Sequence, residues 1–218
     1  MIVRKLMAEG LGTLLLLATI VGSGIMGDAL ANGQPGAALL PHALAIGAIL
    51  FVLITLLGPI SGAHFNPAVT MVFTLRGDLP VREAVPYIVV QIIAAVLGVW
   101  LAHLMFDLEL MQTSARDRSG IGQWTAEIVA TFGLVFVILA GLRTAPALIP
   151  AMVGLYIMAG LWFTASTSFA NPAVTIARMM TDTFTGIQPM DILPFIGAQL
   201  VGAILGWRVA HALYPEAE

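Results

Sequence analysis

Apolar residues run along this chain in six stretches of about 20 residues, the length that crosses a hydrocarbon core of about 30 Å, and in two further stretches half as long. The pattern predicts spans at residues 6–26, 37–57, 84–106, 124–141, 147–163 and 191–213. Polar or turn-forming clusters separate them. Gly33, Pro35 and Gly36 sit in the turn 28–36, and residues 107–122 form the most polar loop; Arg143 and Pro146 mark a short turn, and residues 215–218 are a solvent tail. Arg4-Lys5, the first apolar run and Ala29-Leu30-Ala31 together imitate a signal peptide. That reading fails because the run exceeds an h-region of about 7–15 residues and carries Glu9, which has a counterpart later.

The two short stretches, 67–75 and 172–180, open on the same pentapeptide. Asn66-Pro67-Ala68-Val69-Thr70 returns as Asn171-Pro172-Ala173-Val174-Thr175. Asn is a good helix cap and Pro is favoured at the first helical position, so each copy predicts a helix start. Nine helical residues rise only about 14 Å, half a bilayer. Residues 60–65 are therefore expected to dip toward the midplane and the half helix to climb back out; residues 181–189 return the second copy to the interface. Irregular backbone at that depth survives only where protein or a water-filled path satisfies it. A path is implied.

The halves match beyond the pentapeptide. At a constant offset of 108, Gln91, Leu97, Gly98, Ala102 and His103 meet Gln199, Leu205, Gly206, Ala210 and His211; Glu9 and Thr13 likewise resemble Glu127 and Thr131. The expectation is one transmembrane channel domain over 1–218, with repeat 1 at about 1–115 and repeat 2 at about 116–218. Three spans per repeat invert the second relative to the first, so the half helices enter from opposite faces and their Asn-Pro starts meet. With the N-terminus inside, Arg4, Lys5, Arg76, Arg82, Arg143 and Arg208 are cytoplasmic against Arg116, Arg118 and Arg178 outside, which places both termini in the cytoplasm.

Composition narrows the function classes. With 59% hydrophobic and 10% charged residues and a mean hydropathy of +0.98, the chain is an all-α polytopic membrane protein whose surroundings are the lipid bilayer. Zero Cys excludes disulfides and thiol chemistry, and a net charge of −3 offers no surface for nucleic acid. No His, Asp and Glu cluster has metal spacing and no nucleophile and base pair is visible, so neither metal, cofactor nor enzyme activity is expected.

Two helix N-termini facing each other concentrate partial positive charge in a low dielectric, which repels cations far more than neutral molecules. Asn66 and Asn171 are expected to cap these ends while their amide N–H groups face a passing oxygen. Carbonyls of Gly62, Ala63, Ser166, Thr167 and Ser168 would supply acceptors along one wall. Such a path suits small hydroxylated neutral solutes.

Ser61-Gly62-Ala63-His64-Phe65-Asn66-Pro67-Ala68-Val69-Thr70, the second Asn-Pro-Ala, the inverted repeat and the paired Glu9 and Glu127 resemble the aquaporin and aquaglyceroporin family of major intrinsic proteins. The resemblance implies six transmembrane helices plus two re-entrant half helices, a homotetramer with one pore per subunit, and passive bidirectional transport across a bacterial-type inner (plasma) membrane. Transferring the family's constriction gives Ile46, Ala159, Ser168 and Val174. Most members hold Arg where Val174 stands; Val widens the opening and removes a cation barrier there. Glycerol facilitators follow that Arg with Asp, where this chain has Thr175. Val at this place resembles the family's arsenic-resistance-associated bacterial branch, implying arsenous acid or methylated arsenicals alongside glycerol, urea and other small polyols.

Several residues carry two readings. Glu9 and Glu127 are either proton-coupling carboxylates or, as their symmetry favours, acceptors for the dipping loops. His64 either lines the pore or packs with a backbone hydrogen bond. Arg178 either restores charge to the outer vestibule or, the favoured reading, anchors the half helix to headgroups as a solvated cation. His103 and His211 are expected at interfaces, His42 stands alone, and Trp124 and Tyr214 fit interfacial anchors. An ion-coupled secondary transporter also uses inverted repeats and broken helices, but it would need midplane carboxylates where this chain has Asn66 and Asn171. A junction-forming protein with a vestigial pore would need more surface than these short loops give.

Overall fold

The computed structural model describes residues 2–215. Eight α-helices occur in the order α1 Ile2–Leu30, α2 Pro35–Ser61, α3 Pro67–Leu75, α4 Val81–Met105, α5 Ile121–Thr144, α6 Ile149–Phe163, α7 Pro172–Arg178 and α8 Ile192–Leu213. One 3-10 turn, Pro146–Leu148, leads into α6 and another, Pro189–Asp191, into α8; no strand occurs among the described residues. Six of these helices are long and apolar enough to cross a membrane, and α3 and α7 are the two half helices. The fold is the expected all-α arrangement. Pro215 is exposed, and residues 216–218 of the expected solvent tail lie outside the described residues.

The spans are apolar all round, as helices between lipid and a protein core must be. Their outer faces carry large side chains such as Leu56, Ile93, Leu155, Phe163 and Leu193, all well exposed. Their inner faces carry small residues that let backbones approach. A Cβ on Gly98 would lie 2.4 Å from Leu14 O, and one on its repeat mate Gly206 2.4 Å from Phe132 O. In this way α1 packs on α4 and α5 on α8, while α2 and α6 join the halves through the facing pair Gly47 and Gly154.

Both half helices pack against α4 and α8 and touch each other. Pro59 is accommodated inside α2, which closes on Gly62 at φ 90° with its N–H donated to Gly58 O at 2.9 Å. The second half helix ends at Arg178, two residues earlier than the apolar pattern suggests. Loop groups capture the carbonyls a longer helix would need: Ile187 N donates to Arg178 O at 3.3 Å and Ser114 N to Met179 O at 2.8 Å. Near the face that bears the N-terminus, Lys5 pairs with Glu83 at 2.9 Å and ties the start of α1 to the start of α4.

Candidate pore between the half helices

Each half helix begins on its asparagine. Asn66 Oδ1 accepts from Ala68 N at 2.9 Å, and Asn171 Oδ1 accepts from Ala173 N at 2.9 Å and Val174 N at 3.3 Å. The amide nitrogens cross between the halves: Asn66 Nδ2 donates to Ala170 O at 2.7 Å and Asn171 Nδ2 to Phe65 O at 2.8 Å. One N–H of each amide is thus spent on the opposite dipping segment, which leaves the second as the donor for the lumen. Ala63 and Phe65 before the first asparagine, and Ser168 and Ala170 before the second, all have φ between 47° and 50°. Four non-glycine residues at repeat-related places are held in the left-handed region, a strain that persists only where surroundings over-determine it.

Two carboxylates do that. Glu9 Oε1 accepts from Ser61 Oγ at 2.7 Å and His64 N at 2.9 Å; its Oε2 accepts from Phe65 N at 2.7 Å and Gln91 Nε2 at 2.9 Å. In the other half, Glu127 accepts from Phe169 N and Ala170 N, both at 2.9 Å, and from Gln199 Nε2 at 2.6 Å. Gln91 and Gln199 each donate onward to a threonine of the half helix, Thr70 at 3.0 Å and Thr175 at 2.8 Å. The glutamines stood out in the sequence only as repeat mates; the structure makes them the links between carboxylate and half helix.

A cavity of about 500 Å³ passes the two asparagines. From the termini face its wall runs through Leu142, Ile54, Phe73 and Ile138 to Asn66 and Asn171, and on past Ile46, Ser168 and Val174 to His42 and Arg178. Gly62, Ala63 and Thr167 line it too. His64 lines the cavity, lies 4.7 Å from the Phe73 ring, and has Nδ1 3.1 Å from Thr70 Oγ1, a side-chain partner where a backbone one was expected. Ser168 Oγ is buried in this wall without a protein partner. Pro67, Ala68, Pro172 and Ala173 are buried behind the asparagines.

Four expectations need correction. Ala159 is exposed on the outside of α6 and absent from the wall; Val153, Ile157 and Leu161, spaced one turn apart, face the cavity instead. The 12-residue count from Asn171 fails because a turn, Thr167 N to Thr164 O at 3.1 Å, interrupts the helix. Ser166 is not an acceptor on the wall, since its carbonyl takes the Arg118 Nη1 donor at 3.2 Å. Arg178 is not a solvated anchor. It is 4% exposed, lies over the Phe169 ring at 3.5 Å from its centroid, and donates Nε to Thr185 O. His103, expected at an interface, is fully buried between Leu110 O at 3.1 Å and Thr181 Oγ1 at 2.8 Å.

Arg118, in the loop before α5, also lies over the Phe169 ring, 4.8 Å from its centroid, with Nε donated to Gly186 O at 2.8 Å. Burial, together with neighbouring Arg116, lowers its pKa to about 10, against the opposing pull of Glu127 and Asp191. It still carries its charge at neutral pH.

A family profile described as Major intrinsic protein matches residues 1–168. The chain is 54% identical to "Aquaglyceroporin AqpS" of Rhizobium meliloti (strain 1021) over 201 residues, covering 92% of this chain and 86% of that protein. It is 30% identical to "Aquaporin Z" of Rhodopseudomonas palustris (strain ATCC BAA-98 / CGA009), covering 98% and 94%. Among solved structures, the aquaglyceroporin from Plasmodium falciparum superposes with a TM-score of 0.77 at 21% identity, covering 99% of this chain and 98% of that one.

Proposed function

The chain belongs to the major intrinsic protein family, and from that premise we propose that it is a passive, bidirectional channel for small neutral solutes whose selectivity depends on the paired Asn-Pro-Ala half helices. Its relatives and its fold are those of channels, not of enzymes. The observation that carries the reading is the end-to-end meeting of α3 and α7, with Asn66 and Asn171 braced across each other in the wall of one cavity. A solute oxygen at that level would meet one amide N–H from each asparagine while the facing helix ends repel cations and hydronium.

The solute range follows from the wall. Ile46, Ser168 and Val174 make a mid-outer section with small or apolar side chains, and the Ser168 hydroxyl is buried in the wall against Gly160 rather than presented to the lumen. This supports solutes larger than water that hydrogen-bond weakly: glycerol and other polyols, urea, arsenous acid and methylated arsenicals. The name of the relative at 54% identity, an aquaglyceroporin, points the same way. The assembly proposed is a homotetramer in a bacterial inner membrane with both termini cytoplasmic, each 1–218 chain carrying its own pore.

The test is purified protein in vesicles. Light scattering with water, glycerol, urea and arsenous acid gradients is expected to show accelerated flux that ignores imposed proton or sodium gradients. Uptake that follows either ion gradient would replace the channel with a coupled transporter, and no flux of any solute would remove both.

A further inference from the structure

Ile46 and Val174 are apolar and the hydroxyl of Ser168 beside them is buried, yet each of the two apolar residues has a polar residue one helical turn along its own helix. His42 precedes Ile46 by four residues and Arg178 follows Val174 by four, so each shares a helix face with its partner and sits about 6 Å away along the axis. The directions agree. α2 runs from the face opposite the termini toward the termini face, so His42 is displaced away from the termini; α7 runs outward from the midplane, so Arg178 is displaced the same way.

The two side chains sit at one level against one segment. The His42 ring meets Phe184 edge-on at 5.9 Å, and Arg178 Nε donates to the carbonyl of the next residue, Thr185. Both are nearly buried, at 2% and 4% exposure, and both line the cavity. Both are also held in place. Ser23 Oγ lies 2.8 Å from His42 Nδ1, which leaves Nε2 as the other polar atom of the ring; Phe169 lies flat under the Arg178 guanidinium, whose Nη groups carry its remaining N–H donors. No carboxylate forms an ion pair with Arg178 among the described residues, so no contact charge cancels its cation, and Arg118 lies beside the same Phe169 ring.

We propose that His42 and Arg178 form a polar selectivity ring displaced one helical turn outward from Ile46 and Val174, and that this ring supplies the cation exclusion and solute sorting that the apolar Ile46 and Val174 level does not. The proposal rests on the channel reading and deepens it. It assigns both residues contact with the permeating solute: the guanidinium and imidazole orient polyol or arsenous acid hydroxyls before they enter the apolar section.

Vesicles containing wild type, Arg178→Val, His42→Val and the double variant Arg178→Val with Val174→Arg are compared for water, glycerol and methylammonium flux. Arg178→Val is expected to raise the ratio of methylammonium to water flux by about tenfold, because a fixed cation in a narrow low-dielectric passage is the barrier being removed. Moving the arginine one turn inward in the double variant is expected to restore exclusion to within about twofold, a rescue that a purely structural Arg178 would not give. His42→Val is expected to raise the glycerol-to-water ratio by about threefold. An assembled Arg178→Val channel that still excludes methylammonium overturns the ring; if that variant does not assemble, a His42→Val ratio equal to wild type overturns it instead. A wild type silent to every solute would sink the channel reading, whereas a conducting wild type whose variants leave these ratios unmoved sinks the ring alone.

Discussion

Val174 places two methyl groups on a wall it shares with Ile46 and Ser168, and a guanidinium introduced there would both fill space and add fixed donors. Val174→Arg is therefore expected to reduce glycerol flux by about tenfold or more while reducing water flux less, read by light scattering; equal loss of both would remove Val174 from the constriction. Asn66 gives a second prediction. Asn66→Asp keeps the cap oxygen for Ala68 N but loses the Nδ2 donor that Ala170 O accepts, and it places a negative charge where two helix ends had repelled cations. A proton or cation leak is expected, with stability lowered by about 1–3 kcal/mol for the orphaned carbonyl; an unchanged leak would refute the barrier. Ser168 and Val174 lie within three residues of Asn171 and reach the wall with it, and Ile46 reaches the wall although its count from Asn66 crosses the end of α2 at Gly62. Ala159 was misread because its count crosses the turn at residues 164–167, and helical spacing on α6 selects Ile157 and Leu161 instead. His42 and Arg178 carried no motif. Their four-residue spacing from Ile46 and Val174 puts them on the pore face, and packing against Phe184, Thr185 and Phe169 holds them at the wall.

The dipping segments are elements without a ladder of their own, so their backbone N–H groups depend on Glu9 and Glu127. Glu127→Leu would leave Phe169 N and Ala170 N unpaired in a buried setting, at about 1–3 kcal/mol each, and thermal stability and flux of every solute are expected to fall together. Glu127→Gln keeps one acceptor oxygen and is expected to fall between Leu and wild type; a variant that kept stability but lost only proton coupling would revive the coupled-carboxylate reading. Helix packing gives a paired test on α8. Gly197 has open space around it, so Gly197→Ala is expected to be neutral or to raise the melting temperature through better helix propensity, worth up to about 1 kcal/mol. Gly206→Ala brings the same propensity gain and should nevertheless destabilise, because its Cβ would meet Phe132 O at 2.4 Å. Element existence and order were legible from apolar run lengths, whereas the end of α7 was not, since carbonyl capture by Ser114 and Ile187 leaves no trace in hydropathy.

At the scale of the whole molecule, the internal repeat determined the architecture before any contact was known: three spans per half force inversion, and inversion brings two asparagines face to face. Oligomeric state is not written in any one chain's pattern, because outward Leu155, Phe163 and Leu193 suit lipid and a neighbouring subunit equally. Detergent-solubilised protein is expected to scatter as four chains of 23.0 kDa. The absence of Cys makes topology directly testable: Thr113→Cys should react with an impermeant maleimide added outside intact cells, and Arg4→Cys only after lysis. The cross-braces between Asn66 and Ala170, and between Asn171 and Phe65, carry a consequence for how such a chain is made. During synthesis the amide of Asn66 must wait, already inside the bilayer, until residue 170 has left the ribosome. A single repeat could meet the same demand only by pairing with a second copy inserted the other way up, an encounter between molecules that a chain holding both halves makes a step within one.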